Sequence, residues 1–229
     1  MSDDLMSFDD VQFAENSSPR CPLVLVLDSS SSMFEKRPGE AQSPMESLNA
    51  GLDFLVSDLY KDPLAKNRIS LCTVVYGSNV ESVSEFAEVE NVVLPDLSTG
   101  LGVTSTGAAL NAGLDKLDEF VKRMKAEAIP SYKPFMILLS DGLATDSLES
   151  ASARIKDLEE RKKLSFFAVG VEGADLDQLS SIGTRPALPL RSDSFQEFFT
   201  WVSASTSSIS ASNPGDGVKL PSPESWTDF

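Results

Sequence analysis

Short continuous apolar runs recur along the chain, and each has the length of a single strand. They cover residues 22–27, 68–76, 135–139 and 166–171. A run without polar alternation is typical of a strand that is covered on both faces, as in a parallel sheet. The pattern therefore predicts four buried strands.

Between these runs, apolar residues recur every three or four positions, which is the period of an amphipathic helix. The four stripes are Leu48, Leu52, Leu55, Val56 and Leu59; Leu110, Leu114, Leu117, Val121 and Met124; Leu148, Ala151, Ile155 and Leu158; and Phe195, Phe198, Phe199 and Val202. Strands that alternate with helices predict an α/β fold with a mostly parallel sheet and helices on both faces. A further strand over residues 80–86 follows only a short turn, so we expect it to pair antiparallel at an edge.

The two ends of the chain differ in composition from the part between them. Residues 1–19 include five acidic residues and no basic residue, which predicts an acidic, flexible N-terminal segment. Residues 211–229 contain proline and glycine without periodicity, which predicts an extended tail. One domain is therefore expected over residues 20–210.

Composition narrows the class of function. The net charge of −16 excludes a nucleic-acid-binding surface and disfavours binding to an anionic membrane surface. Histidine is absent from the sequence, which excludes Ser-His-Asp chemistry and His-ligated zinc. The chain has neither the pattern of a signal peptide nor an apolar run long enough to cross a membrane. With only Cys21 and Cys72 present, we expect a soluble cytoplasmic protein with two reduced thiols.

Three oxygen-rich segments adjoin the predicted elements. Residues 28–32 follow the first strand, residues 140–142 follow the strand over 135–139, and residues 102–107 precede the second long helix. Because an open parallel sheet binds ligands at the carboxyl ends of its strands, we expect these segments to meet at one edge. Carboxylates and hydroxyls without soft ligands are the donors that a hard cation prefers, Mg²⁺ above all.

Three motifs in these segments carry a family resemblance. Asp28–Met33, Thr104–Leu110 and Leu139–Gly142 resemble the metal-ion-dependent adhesion site (MIDAS) of von Willebrand factor A (VWA) domains, and the resemblance covers roughly residues 20–210. Further segments are similar to the bacterial tellurium-resistance TerY branch of that family. These are residues 19–22, 132–134 and 198–205.

The resemblance implies a Rossmann-like, doubly wound sheet of six strands with Mg²⁺ at its top, Mn²⁺ and Ca²⁺ being alternative ions. Five positions of this sequence match the metal ligands of the family: Asp28, Ser30, Ser32, Thr104 and Asp141. The implied function is a non-enzymatic module in which the metal docks a carboxylate of a partner protein. The implied setting is a bacterial response to tellurite or chemical stress, with protein-phosphorylation components or other Ter proteins as partners.

Two other functions stay open from the sequence. Asp28 at a strand end also resembles the nucleophile of Mg²⁺-dependent phosphotransfer enzymes, although Ser30 stands where haloacid-dehalogenase-like phosphatases place a second aspartate. The third interpretation is a VWA domain whose metal site is retained but unused.

The sequence departs from the family pattern at two loop positions. Ser31 and Val103 stand where the family commonly has glycine, a residue that reaches positive φ without steric cost. We expect stiffer or shifted loops there, and a metal site that is weaker or altered in geometry but still present, because the five ligand positions are intact. Lys36 and Arg37, just beyond the first loop, are candidates for steering an acidic partner towards the site.

Overall fold

Strands and helices alternate along the chain, as the apolar pattern predicts. The computed structural model describes residues 17–36, 40–95, 97, 102–141 and 143–227. Its strands are β1 (Cys21–Asp28), β2 (Ile69–Tyr76), β3 (Val80–Val83), β4 (Ala87–Glu88), β5 (Phe135–Ser140), β6 (Ser165–Val171) and β7 (Leu188–Leu190). Its helices are α1 (Pro44–Lys61), α2 (Pro63–Arg68), α3 (Thr106–Ala126), α4 (Glu149–Glu160), α5 (Leu176–Ser180), α6 (Phe195–Ala211) and α7 (Glu224–Thr227). Short 3-10 helices cover Ser31–Phe34 and Val89–Asn91.

The strands form one mixed sheet in the order β3-β2-β1-β5-β6-β7. β1 pairs parallel with both β2 and β5, and β6 and β7 continue the parallel part. β3 pairs antiparallel with β2 at the edge, which confirms the predicted pairing, although the strand ends at Val83 rather than at residue 86. The described residues form seven strands rather than six, because β4 makes a second short antiparallel pairing with the start of β2.

Two hydrophobic clusters cover the two faces of the sheet. All eight residues of β1 are buried, and alternate ones belong to opposite clusters: Leu23, Leu25 and Leu27 to one, Val24 and Val26 to the other. The first cluster includes the apolar stripes of α1 and α6, and the second includes those of α3 and α4 except Val121, which is 37% exposed. The strand order reverses between β1 and β5, since the chain winds from β1 to β2 on one side and from β5 to β7 on the other. The crevice at such a reversal is where ligands bind in this architecture.

The first long helix begins with a complete capping box. Ser43 Oγ accepts a hydrogen bond from Glu46 N (3.2 Å), and Ser43 N donates to Glu46 Oε2 (2.7 Å). Pro44 occupies the first turn, where its fixed φ suits a helix start. This cap fixes the chain where it re-enters the fold after the β1 loop.

The tail after α6 packs against that helix. Trp226 is 0% exposed, and its ring lies 5.5 Å from Trp201 and 5.1 Å from Phe198 between centroids. Trp201 Nε1 donates to the carbonyl oxygen of Pro221 (2.9 Å). The C-terminal segment is therefore held on the body of the domain by an aromatic contact. Residues 1–16 of the acidic N-terminal segment predicted over residues 1–19 lie outside the described residues.

Cys21 and Cys72 are free and buried. Among the described helices, none combines the length and the apolar character that a bilayer span requires.

Candidate metal centre

The predicted site lies at the reversal of strand order. Asp28 is the last residue of β1 and Ser140 the last of β5, and these strands are neighbours in the sheet. Ser140 Oγ donates a hydrogen bond of 2.5 Å to Asp28 Oδ2. The carboxyl ends of the two central strands are thus joined side chain to side chain.

The loop after β1 folds back on its own aspartate. Ser30 N donates to Asp28 Oδ1 (2.8 Å), and the 3-10 helix that follows carries Met33 into the core. Ser29 points the other way, with Oγ donating to the carbonyl oxygen of Tyr76 (3.2 Å). Ser31 is exposed. Ser29 therefore lies away from the aspartate, whereas Ser30 contacts it.

The second carboxylate closes the cluster from β5. Ser32 Oγ donates to Asp141 Oδ1 (2.8 Å). Ser30 Oγ lies 3.5 Å from the same oxygen and 3.1 Å from Ser32 Oγ. Asp28, Ser30, Ser32 and Asp141 therefore form one hydrogen-bonded cluster, in which Ser30 contacts both acidic residues.

Thr104 lies in a loop that is tied to both neighbouring loops. Its carbonyl oxygen accepts from Thr145 N (2.8 Å) and Thr145 Oγ1 (3.0 Å), just beyond β5. On the other side, Ser31 N donates to the carbonyl oxygen of Gly102 (3.1 Å). Gly102 has φ of +78°, a conformation that favours glycine. All three predicted segments therefore meet, and Thr104 is buried between two of them.

Asp146 is part of this arrangement, and sequence analysis did not identify it. Its two carboxylate oxygens accept from Gly107 N (2.9 Å) and Ala108 N (2.8 Å) at the start of α3. A Cβ added to Gly107 would lie 2.1 Å from the carbonyl oxygen of Ser147, so only glycine permits this approach. Asp146 thereby holds the helix that follows Thr104 against the loop that follows Asp141.

Burial dominates the electrostatics of the site. Asp28 is 0% exposed, and burial raises the pKa of its carboxyl, while hydrogen bonds from Ser140 and Ser30 act in the opposite direction. Tyr76 lies close by, and burial together with the charge of Asp28 raises the pKa of its hydroxyl well above the usual value. No ion pair among the described residues includes Asp28. An ionised Asp28 is thus costly in the protein alone.

The donor set fits a hard divalent cation. It consists of carboxylate and hydroxyl oxygens, the ligands that Mg²⁺ takes in small number while it keeps several waters. A hydroxyl that donates its proton to a carboxylate keeps lone pairs for a metal. The described residues contain no group of three or more His, Cys, Asp or Glu side chains that could hold a metal, which excludes an acid-rich cage among them.

The two departures from glycine leave the backbone unstrained. Among the described non-glycine residues, positive φ occurs at Ala128 and Lys162, so Ser31 and Val103 adopt conformations open to any residue. Lys36 Nζ lies 3.2 Å from Glu46 Oε2 and donates to the carbonyl oxygen of Ala41 (3.2 Å). Arg37, the other candidate for steering, and Gly142 of the third motif lie outside the described residues.

A doubly wound sheet with an oxygen-donor cluster at its reversal point defines the class of protein. The chain belongs to the von Willebrand factor type A domain family, whose sequence model matches residues 23–206. Domains of this family are generally non-enzymatic modules that mediate protein–protein interaction. A comparison with curated protein sequences finds no significant match.

Solved structures with a similar fold include pilus proteins of bacteria. The pilus adhesin SpaC of Lactobacillus rhamnosus GG is similar with a TM-score of 0.65 and 14% identity, over 83% of this chain and 31% of that one. The PilB minor pilin of Streptococcus sanguinis is similar with a TM-score of 0.58 and 15% identity, over 84% of this chain and 62% of that one. The vWF domain of the pilus tip protein Mfa5 of Porphyromonas gingivalis is similar with a TM-score of 0.53 and 11% identity, over 81% of this chain and 94% of that one. The chain thus spans less than two thirds of the adhesin and of the pilin, and these likenesses concern the fold.

Proposed function

We propose that this chain is a metal-dependent protein-interaction module without enzymatic activity. Asp28, Ser30, Ser32, Thr104 and Asp141 hold Mg²⁺, and a carboxylate of the partner protein completes its coordination. Membership of the VWA family supports an interaction module, and the hydrogen-bonded cluster of four of these residues supports the use of a metal. Thr104 adjoins the cluster through its backbone, whose carbonyl oxygen accepts from Thr145.

The observation that carries the proposal is the buried cluster with two acidic side chains. Asp28 and Asp141 are 0% and 8% exposed and both contact Ser30. Burying an ionised carboxylate in the protein interior costs roughly several kcal/mol unless a counter-charge compensates for the lost hydration. A divalent cation held between them supplies that compensation.

Each side chain has a distinct task in this arrangement. Asp28 fixes the loop after β1 by accepting from Ser30 N, while Ser140 fixes the second oxygen of Asp28. Ser32 is exposed, so the cluster opens to solvent on the side of that hydroxyl. Two carboxylates with neutral hydroxyls leave a bound dication able to attract a further carboxylate, and an interface that excludes water strengthens such a contact.

The geometry disfavours the phosphotransfer alternative. Both carboxylate oxygens of Asp28 are engaged in hydrogen bonds, and the side chain has no exposed surface. A nucleophilic carboxylate must reach the phosphorus atom of its substrate. Ser30, which occupies the position of the second aspartate of such enzymes, contributes a hydroxyl to the cluster instead.

The biological setting is proposed from the resemblance alone. It is a bacterial, cytoplasmic response to tellurite or chemical stress, with protein-phosphorylation components or other Ter proteins as partners. Some residues behind that resemblance serve the fold: Arg20 forms a buried ion pair with Glu88 (2.6 Å), and Trp201 contacts the tail.

Thr104→Ala tests the docking function, with Thr200→Ala as a matched control on the exposed face of α6. Each protein is immobilised, incubated with bacterial lysate in Mg²⁺ or EDTA, and the affinity for the captured protein is measured. We expect the wild type and the control to bind only in Mg²⁺, and Thr104→Ala to bind about 30-fold or more weakly. Thr104 is buried, so thermal melts of each variant establish that the fold survives.

Two outcomes would contradict the proposal. Equal retention of the same partner in Mg²⁺, in EDTA and by Thr104→Ala would favour a VWA domain with an unused metal site. Mg²⁺-dependent hydrolysis of p-nitrophenyl phosphate that is lost in Asp28→Asn would favour the phosphotransfer enzyme.

A further inference from the structure

A group of exposed cations lies at the amino ends of β5 and β6, at the end of the sheet opposite the oxygen cluster. Five side chains on three connecting segments form this basic patch: Lys133, Arg161, Lys162, Lys163 and Arg185. Three acidic residues accompany them on the last turn of α4: Asp157, Glu159 and Glu160. A local surplus of positive charge stands out on a chain whose net charge is −16.

Strand pairing brings two of these segments side by side. Phe135 and Ser165 are paired in the parallel ladder between β5 and β6, and Ser165 N donates to the carbonyl oxygen of Pro134 (2.9 Å). Lys133 and Lys163 each stand two positions before a member of that pair. The two lysines therefore enter the sheet on neighbouring strands.

Arg185 joins them from the loop before β7. Its Nη1 donates to the carbonyl oxygen of Phe166 (3.1 Å), and its guanidinium carbon lies 5.2 Å from the centre of the Phe167 ring. The same Nη1 donates to Glu159 Oε1, while Thr184 N donates to Glu159 Oε2 (2.8 Å). The Glu159 side chain is 3% exposed, so its charge is taken up by these contacts.

The lysines of the patch lack a counter-charge. No ion pair within the described part of the chain includes Lys133, Lys162 or Lys163. Partial burial lowers the pKa of Lys133, and the positive charges of Arg185 and Lys162 lower it further, while Glu159 acts in the opposite direction. Like charges therefore face one another here, and an anionic occupant would relieve their repulsion.

The position of three cations directly after α4 has a simpler explanation. Cations beyond the C-terminus of a helix stabilise its dipole. That explanation does not extend to Lys133 and Arg185, which belong to two other segments and converge on the same place.

The chain enters the domain beside this patch. Arg20 N donates to the carbonyl oxygen of Pro130, and Tyr132 N donates to that of Arg20, both at 2.8 Å. Lys133 follows Tyr132 directly. Residues 1–16, which precede the described chain at this end of the sheet, contain five acidic residues and no basic one. An acidic segment is thus attached next to a basic surface.

Attachment changes how strong such a contact has to be. Exposed ion pairs are individually weak, so an acidic peptide free in solution would occupy the patch poorly. A short linker holds its ligand at an effective concentration on the order of 1 mM. Several weak pairs that form together are then enough to fill the surface.

We propose that the basic patch is a docking surface for a carboxylate-rich segment, and that its occupant is residues 1–16 of the same chain. The acidic side chains of the segment supply the counter-charge that Lys133, Lys162 and Lys163 lack. This inference is independent of the metal centre, which lies at the other end of the sheet.

A nitroxide label within the segment tests the inference by NMR on the whole chain. The label is attached at Ser7→Cys, and because Cys21 and Cys72 are buried, the introduced thiol reacts under native conditions. Amide signals are compared before and after the nitroxide is reduced. We expect signal loss at residues 131–133, 162–164 and 184–185 and not on α3 at residues 115–122. The loss should be reversed in NaCl at about 1 M, where charges are screened beyond roughly 3 Å.

A matched segment separates docking from mere attachment, since the linker alone keeps the label near this end of the sheet. Five substitutions keep its length and remove its charge: Asp3→Asn, Asp4→Asn, Asp9→Asn, Asp10→Asn and Glu15→Gln. We expect the neutral segment to lose the salt-sensitive part of the effect.

Matched lysine variants locate the contact on the patch. Lys133→Gln/Lys163→Gln should remove the same salt-sensitive part as the neutral segment does. Lys61→Gln/Lys122→Gln makes the same change in net charge on α1 and α3, where both side chains are well exposed, and should retain the effect. Unchanged amide positions away from the substitutions establish that each variant is folded.

Four outcomes would overturn the inference. Equal signal loss with the acidic and the neutral segment would mean that attachment alone explains it. Absent loss, or loss spread evenly over the surface, would mean that the segment does not occupy the patch. Equal behaviour of the two lysine variants would place the contact elsewhere. Signal loss in isotope-labelled protein mixed with nitroxide-bearing protein of natural isotope content would assign the patch to the segment of a second copy.

Discussion

The substitution Asp28→Asn separates two effects of the buried charge: the stability that it costs in the absence of metal and the metal binding that it allows. Asparagine has the shape of aspartate without the charge, and its carbonyl oxygen can still accept from Ser30 N. Its amide group can donate to Ser140 Oγ, which lies 2.5 Å from Asp28 Oδ2. The hydrogen bonds of the loop are therefore retained. Because folding raises the pKa of Asp28 through burial, its ionised form lowers stability above that pKa, and the neutral amide removes this cost.

The expected change in stability has opposite signs with and without metal. In EDTA, Asp28→Asn should melt at the same temperature as the wild type or higher. In Mg²⁺ at a hundred times its dissociation constant, the wild type should gain about 2.7 kcal/mol by mass action. For a chain of this size that is about 5–10 °C in melting temperature. The variant should gain little, because it lacks one of the two anionic ligands.

Differential scanning calorimetry of both proteins in Mg²⁺ and in EDTA measures these shifts. Asp53→Asn, an exposed position on α1, is the matched control and should behave as the wild type in both conditions. A full Mg²⁺ shift in Asp28→Asn would refute the assignment of Asp28 as a metal ligand. A variant that melts several degrees below the wild type in EDTA would refute the reasoning about its buried charge.

Three further changes test other parts of the structure. Iodoacetamide should modify Cys21 and Cys72 only after denaturation, because burial raises the pKa of both thiols to about 12, and intact mass should then show two adducts without prior reduction. Trp226→Ala should lower the free energy of unfolding in urea by about 3 kcal/mol, since the whole indole is buried, and an unchanged midpoint would mean that the tail does not pack. Asp146→Ala should cost about 1–2 kcal/mol through the start of α3 and also weaken Mg²⁺ binding in calorimetry, whereas unchanged affinity would show that the neighbouring loop keeps its position without it.

The sheet was largely predictable because its strands are continuous apolar runs. The predicted run 22–27 lies within β1, and the run 166–171 lies within β6. The elements that were missed are too short for a periodic signal: α5 has five residues and β7 has three. β7 also contains Pro189, and it forms a strand because β6 is available beside it.

The site was predictable where it depends on strand ends and not where it depends on the approach of distant loops. Asp28 and Asp141 adjoin apolar runs, so the topology alone places them together. Asp146 acts through two amide groups at the start of α3, and its own surroundings in the sequence carry no sign of that contact. Thr104 lies in a loop and would be expected on the surface, but contacts from the loop after β5 bury it.

The net charge of the chain works against the docking that we propose, and this gives the mechanism a measurable signature. A charge of −16 repels an acidic partner over long distances, while the contact at the metal centre acts over a few ångströms. Salt screens interactions beyond about 10 Å at 0.1 M and affects a desolvated contact much less. Added NaCl at constant Mg²⁺ should therefore speed the association of an acidic peptide and leave its dissociation nearly unchanged. Stopped-flow fluorescence measures both rates, and an association rate that falls with salt would mean that a positive surface guides the peptide instead.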